Sequence, residues 1–90
     1  MVKCKVENVK NNKGSSVKNQ IIITNDDGQY FQSYNSIIAF KSNENDVILD
    51  KTYWNYSNTT SKYLSLFLKE PTKRIREKLN TGGYILDNLN

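Results

Sequence analysis

Apolar and polar positions alternate in some stretches of this chain and run together in others. From Val2 to Val6 the order is Val-Lys-Cys-Lys-Val, the period-two signature of a short strand with one face on a core. Read this way, Val2, Cys4 and Val6 point inward, and Lys3 and Lys5 face solvent. Asn8 to Asn19 has no such period, and its Asn11-Asn12-Lys13-Gly14-Ser15-Ser16 cluster predicts a loop. The stretch Gln20 to Phe40 organises the rest. Two β-prone runs flank Asn25-Asp26-Asp27-Gly28, and Asp-Gly between such runs signals a hairpin because Gly tolerates positive φ. The first arm, Ile21 to Thr24, carries three consecutive isoleucines. A strand apolar at successive positions is expected to be covered on both faces and interior to its sheet. The second arm starts at Gln29 and turns polar between Gln32 and Ser36. A bulge or break is expected near Tyr34-Asn35-Ser36, with Ile37 to Phe40 beginning a separate strand.

Lys41 to Asp46 is a polar turn, and Val47-Ile48-Leu49 reads as a strand paired with Ile37 to Phe40 in a second hairpin. Trp54, the single tryptophan, sits between Tyr53 and Tyr56 and is expected to anchor sheet to helix. Asn58-Thr59-Thr60-Ser61 offers N-caps for a helix running to about Lys69, with Tyr63 and Phe67, and Leu64 and Leu68, stacked at i, i+4. Pro71 stops it and suits the start of a second helix, Pro71 to Leu79, whose apolar stripe is only Ile75 and Leu79. Asn80-Thr81-Gly82-Gly83 ends that helix, and Tyr84-Ile85-Leu86 with Leu89 reads as a final edge strand. The elements predict one α+β domain over residues 1–90. Its mainly antiparallel sheet has about four to five strands built on two hairpins, with two C-terminal helices packed on it and a short final strand.

A chain of 90 residues buries roughly 60–65% of its unfolded surface, so the core is small. A surface site is easier to build from it than a deep, water-excluded one. The net charge of +4 favours anionic partners: nucleic acid, nucleotides or an acidic protein surface. It excludes an acidic mimic of DNA. The richness in Lys, Asn and Ile is also what AT-rich coding produces by default. The single cysteine, Cys4, allows no internal disulfide, which suits a reducing compartment. Met1 to Lys5 is charged and no apolar segment follows, so no secretory leader is expected. No apolar run approaches the ~20 residues of a membrane span. A cytoplasmic protein without membrane contact is the expectation.

The chain has no histidine, which removes the commonest general base and nitrogen ligand. One cysteine cannot build a zinc site. Asp26-Asp27 lies in a turn where Asp is expected for backbone reasons. Gly82-Gly83 follows a helix, whereas a phosphate loop precedes one. No catalytic residue, metal or cofactor is therefore assigned, and the chain reads as a non-enzyme. What remains is basic and aromatic. Lys62, Lys73, Arg74 and Arg76 gather in the helical part, and Tyr30, Tyr34, Asn35 and Tyr56 supply rings and an amide that suit base stacking. A site is expected where the Tyr30-to-Asn35 strip meets Tyr53 to Tyr56 and the second helix.

Three strings carry a further resemblance: Tyr30 to Phe40 (YFQSYNSIIAF), Tyr53 to Tyr63 (YWNYSNTTSKY) and Tyr84 to Asn90 (YILDNLN). With the opening Val2 to Lys10, they resemble a family of small uncharacterised proteins carried by phages and prophages of Gram-positive bacteria. The resemblance covers nearly the whole chain and brings no activity or catalytic residues with it. It implies an accessory protein acting inside an infected bacterium. On that footing the expected function is counter-defence inhibition, by occupying a host defence protein or sequestering its nucleotide or nucleic-acid ligand. The alternative is direct DNA or RNA binding in phage replication or gene control. A homo-oligomer is compatible with either.

Overall fold

The computed structural model of the protein describes residues 4–11 and 13–90. Five strands form an antiparallel meander: β1 (Lys5–Lys10), β2 (Ser16–Asn25), β3 (Gly28–Ser33), β4 (Ser36–Ser42) and β5 (Val47–Asp50). The chain then leaves the sheet for α1 (Asn58–Leu68) and α2 (Thr72–Thr81) and returns as β6 (Ile85–Asp87). β6 pairs parallel with β5, which is possible because the helices supply the long crossover that parallel neighbours require. Strand order in the six-stranded sheet follows the sequence. This is the α+β architecture expected from the pattern.

The turns follow from local chemistry. In the β2–β3 turn the Asn25 side-chain oxygen accepts hydrogen bonds from the N–H groups of Asp27 and Gly28, an Asx arrangement. At Gly28 a Cβ would collide with the Lys41 carbonyl oxygen, so only glycine lets β3 and β4 approach there. The break expected near Tyr34-Asn35-Ser36 is a two-residue turn of Tyr34 and Asn35. Tyr34 has φ 56°, a position where hairpins of this length favour glycine. A bulge sits one step inside, where Phe31 pairs Ala39 and Gln32 pairs Ile37, leaving Ile38 as the extra residue. Ser57, one residue ahead of the expected caps, is the N-cap of α1 and accepts from the Thr60 N–H at 3.1 Å.

Register decides which side chains meet the helices. Ile22, Phe31, Ala39 and Leu49 form one row across β2–β5. Phe31 stacks on Phe67 of α1 with centroids 5.7 Å apart, so this row faces the helical layer. Phe31, Ile38, Leu49, Leu64 and Ile75 are fully buried between the layers. One pair of buried hydroxyls, Ser33 and Thr60, is hydrogen-bonded across the layers at 3.0 Å. Trp54 is buried as expected and carries the Arg76 guanidinium over its ring at 5.3 Å.

Several expectations at the N-terminal end are corrected. Of the stretch expected to be a loop, Asn8 to Lys10 and Ser16 to Asn19 belong to strands. Lys10 pairs with Ser16 and Asn8 with Ile21, across a register shift, so polar side chains do not prevent a ladder there. Cys4 lies ahead of β1 and is exposed. Val6 is also exposed, at 62%, because its register partner is Ile23 on the face away from the helices. Val9 is the buried residue of β1. Val2, Lys3 and Asn12 lie outside the described residues. β2 is interior to the sheet as expected, but Ile21, Ile22 and Ile23 are only half-buried. The helices cover one face of the sheet alone.

Candidate functional site

The first surface is set by charge. Between residues 58 and 81 the chain holds six basic and two acidic side chains, and everywhere else it holds seven of each. The helical layer therefore carries the whole excess of +4. Within it Arg74 is 3.8 Å from Glu77, and Lys78 is 2.9 Å from Glu70. Lys62, Lys69 and Lys73 are exposed and make no salt bridge among the described residues. The Lys62 ammonium lies 5.4 Å from the Tyr63 ring centroid. With Leu66 and Asn11 these two line a cleft of about 120 Å³.

The second surface is set by register. The row next to Ile22–Phe31–Ala39–Leu49 is Val6, Ile23, Tyr30, Phe40, Ile48 and Ile85, one residue from each strand. Because side chains alternate across a sheet, this row points away from the helices. The following row on the same face is Asn8, Ile21, Gln32 and Ile37. The first row contains no charged residue, and the second runs on at its β5–β6 end into the Asp50–Asp87 pair. Tyr30 and Phe40, on adjacent central strands, bring their rings within 4.7 Å, and Val6 and Ile85 at the two ends are 62% and 59% exposed.

The sequence candidates are thus divided. Lys62, Lys73, Arg74 and Arg76 lie on the helical layer, all exposed, with Arg76 held against Trp54. Tyr56 precedes α1 and is 48% exposed. Tyr34 is 47% exposed, and Asn35 is exposed beside it, at the β3–β4 turn. The Ser33–Thr60 hydrogen bond sets that turn next to the N-terminal end of α1, the end that follows Tyr56. Tyr30 is on the opposite side of the sheet from the basic helices, so the structure does not bring it to them. Sequence reasoning missed the apolar row as a surface. Its signal was the failure of β2, β4 and β5 to alternate.

Two carboxylates are built into the frame. Asp50 is buried and accepts from the N–H groups of Thr52, Tyr53 and Leu89 at 3.1, 2.9 and 2.8 Å. Burial works to raise its pKa, but these bonds and the Asn90 side chain outweigh it and hold it below the ordinary value. Glu70 accepts from Lys78 Nζ at 2.9 Å and from the Tyr84 hydroxyl. Here too burial opposes ionisation, and the Tyr84 and Lys78 contacts, with the charges of Lys78 and Arg74, lower the carboxyl. Burial and the neighbouring Glu70 push the Tyr84 hydroxyl up. Both groups are engaged in tying elements together. Among the described residues no three of His, Cys, Asp and Glu gather as a metal would require. No helix among them is long and apolar enough to cross a membrane.

The chain belongs to a family of unknown function, DUF8033, whose profile matches residues 4–82. The matched stretch runs from just before β1 to the C-cap of α2. No curated protein and no solved structure matches the chain.

Proposed function

We propose that this DUF8033 member is a non-catalytic binding protein that engages an anionic surface through its helical layer. In this reading it is phage-encoded and acts inside the infected bacterium as a counter-defence inhibitor. It occupies an acidic surface of a host defence protein, or sequesters that protein's nucleotide or nucleic-acid ligand. The observation that carries the reading is the segregation of charge: the full +4 lies between residues 58 and 81. A charge excess spread over the surface serves solubility, whereas one gathered on a single layer steers and orients an oppositely charged partner. Tyr56 and the cleft beside Lys62 add uncharged contact area on the same layer. The test is expression in hosts carrying a panel of defence systems, with tagged protein recovered from infected cells. Phage survival should rise against at least one system and fall back with Lys62→Glu/Lys73→Glu. A panel in which no system is affected would sink the inhibitor reading.

Direct DNA or RNA binding is the second reading, favoured by the Tyr30–Phe40 pair on an uncovered sheet. Sheet aromatics in that position stack bases in known RNA-binding folds. It ranks second because phosphate contacts need cations beside the rings, and the rows around Tyr30 hold none. Mobility shifts with single- and double-stranded DNA and RNA decide it. True binding weakens steeply with salt, and no complex at low salt removes this reading.

A further inference from the structure

The uncovered sheet face is written for a cover that the chain itself does not provide. Strands with one wet face alternate, while strands covered twice run apolar. Here Ile21-Ile22-Ile23, Ile37-Ile38-Ala39-Phe40 and Val47-Ile48-Leu49 all run apolar, yet the helices occupy only one side. We propose that a second copy of this chain closes the face. The two sheets stack across a two-fold axis, giving a helix–sheet–sheet–helix dimer with both basic layers outward. This goes beyond the anionic-partner reading, because it uses the opposite side of the molecule.

Three observations select a second copy over a different partner. The Val6–Ile85 row carries no charge, and the row beside it is charged only at its β5–β6 end, at Asp50 and Asp87, so two identical faces meet along the central row without needing a complementary sign. The excess positive charge lies on the far layer, away from the contact. The outline of the molecule leaves room for such a contact. The molecule measures 33 × 32 × 21 Å, so its broad side is on the order of 1,000 Å², against about 800 Å² per partner in a standard stable interface. Face-to-face sheets pack ~10 Å apart with strand directions within about 30°. Such an arrangement lets the Tyr30–Phe40 pair of one copy interdigitate with Ile23 and Ile48 of the other.

The experiment is sedimentation or light scattering across nanomolar to high-micromolar concentration, at low and high salt. The expected species has twice the 10.4 kDa chain mass and persists at high salt, where an association driven by the basic layers would dissolve. Val6→Glu and Ile85→Glu lie at exposed ends of the row, so the folded monomer tolerates them, and circular dichroism verifies this. Either should weaken self-association, and together with Phe40→Glu they should abolish it, with at least roughly a thirtyfold loss expected for the central aromatic. A monomer at every concentration overturns the proposal. So does a dimer indifferent to all three substitutions, or a monomeric chain that buries this face only against a different protein. Lys62→Glu/Lys73→Glu leaves the dimer intact, so failure of the dimer and failure of the anionic-partner reading are told apart.

Discussion

At the scale of single residues, two buried polar side chains have opposite effects. Gln20 is 1% exposed, and neither its Oε1 nor its Nε2 has a hydrogen-bond partner among the described residues. A buried amide without partners loses its hydration and gains nothing in return. Gln20→Met keeps the length of the side chain and removes that loss. It should stabilise the fold by about 1 kcal/mol, read as a higher urea midpoint at unchanged slope. An unchanged or lower midpoint would show that Gln20 is satisfied in solution. Asp50 is the contrary case, with three backbone N–H groups converging on one carboxylate. Asp50→Ala leaves those donors orphaned and should cost about 3 kcal/mol. Its folded pKa is lowered from 3.8. The stability it contributes is therefore present above the unfolded value and lost as pH falls through the folded one. The melting temperature should drop on the acid side of pH ~4, and Asp50→Asn should flatten that drop. A variant that keeps the wild-type acid slope would show that other carboxylates set it.

At the scale of elements, β6 is held by very little backbone. It has three residues, all exposed, and pairs with β5 alone. Glu70, Lys78 and Tyr84 supply a tie from the α1–α2 junction through the end of α2 to the residue before β6. Lys78 also sits 4.9 Å from the Tyr84 ring centroid. Tyr84→Phe breaks the hydroxyl bond to Glu70 and keeps the ring. Amide exchange should then speed up in Ile85–Asp87 while the α1 amides stay protected, because local opening follows local contacts. Uniform acceleration through the whole fold would mean that the tie supports the global state instead. The same scale shows how much was readable beforehand. Both hairpins, both helices and the stop at Pro71 were legible because turn and cap chemistry is local. β1 and the first half of β2 were not, because Lys10 pairs with Ser16 and Asn8 with Ile21 across a register shift at the sheet edge, where the ladder tolerates polar side chains on both sides. The isoleucine run of β2 was legible as a demand for cover. That the chain meets this demand on one face only depends on where the helices return, which no local pattern states. The basic helical cluster was visible as charge. Its separation from Tyr30 was not, since Tyr30 and Phe31 are adjacent aromatics and the sequence does not say which one turns to the helices.

At the scale of the whole molecule, the chain is two-sided: a helical layer with all the excess charge and a sheet face whose central row is uncharged, with one core between them. If each side has its own partner, perturbations of the two should be independent. Side chains on opposite layers share no contacts, and substitutions that far apart usually add within ~0.5 kcal/mol. Lys73→Glu with Arg74→Glu reverses two cations and removes the formal excess of +4. Both side chains are exposed on α2, and the Arg74→Glu change loses the Glu77 pair and sets like charges beside Glu77 and Glu70, so the fold should be weakened by no more than about 1 kcal/mol. Retention on a cation exchanger and capture of an anionic partner should both fall sharply, while the mass in solution stays the same. Val6→Glu with Ile85→Glu should do the reverse, lowering the mass in solution and sparing attraction to anions apart from the added negative charges. The combined variant should show both losses at their single-variant sizes. If reversing the helical charges also dissolves the assembly, or if charging the sheet face abolishes anion capture beyond its effect on net charge, then one surface serves both ends and the two-sided description fails.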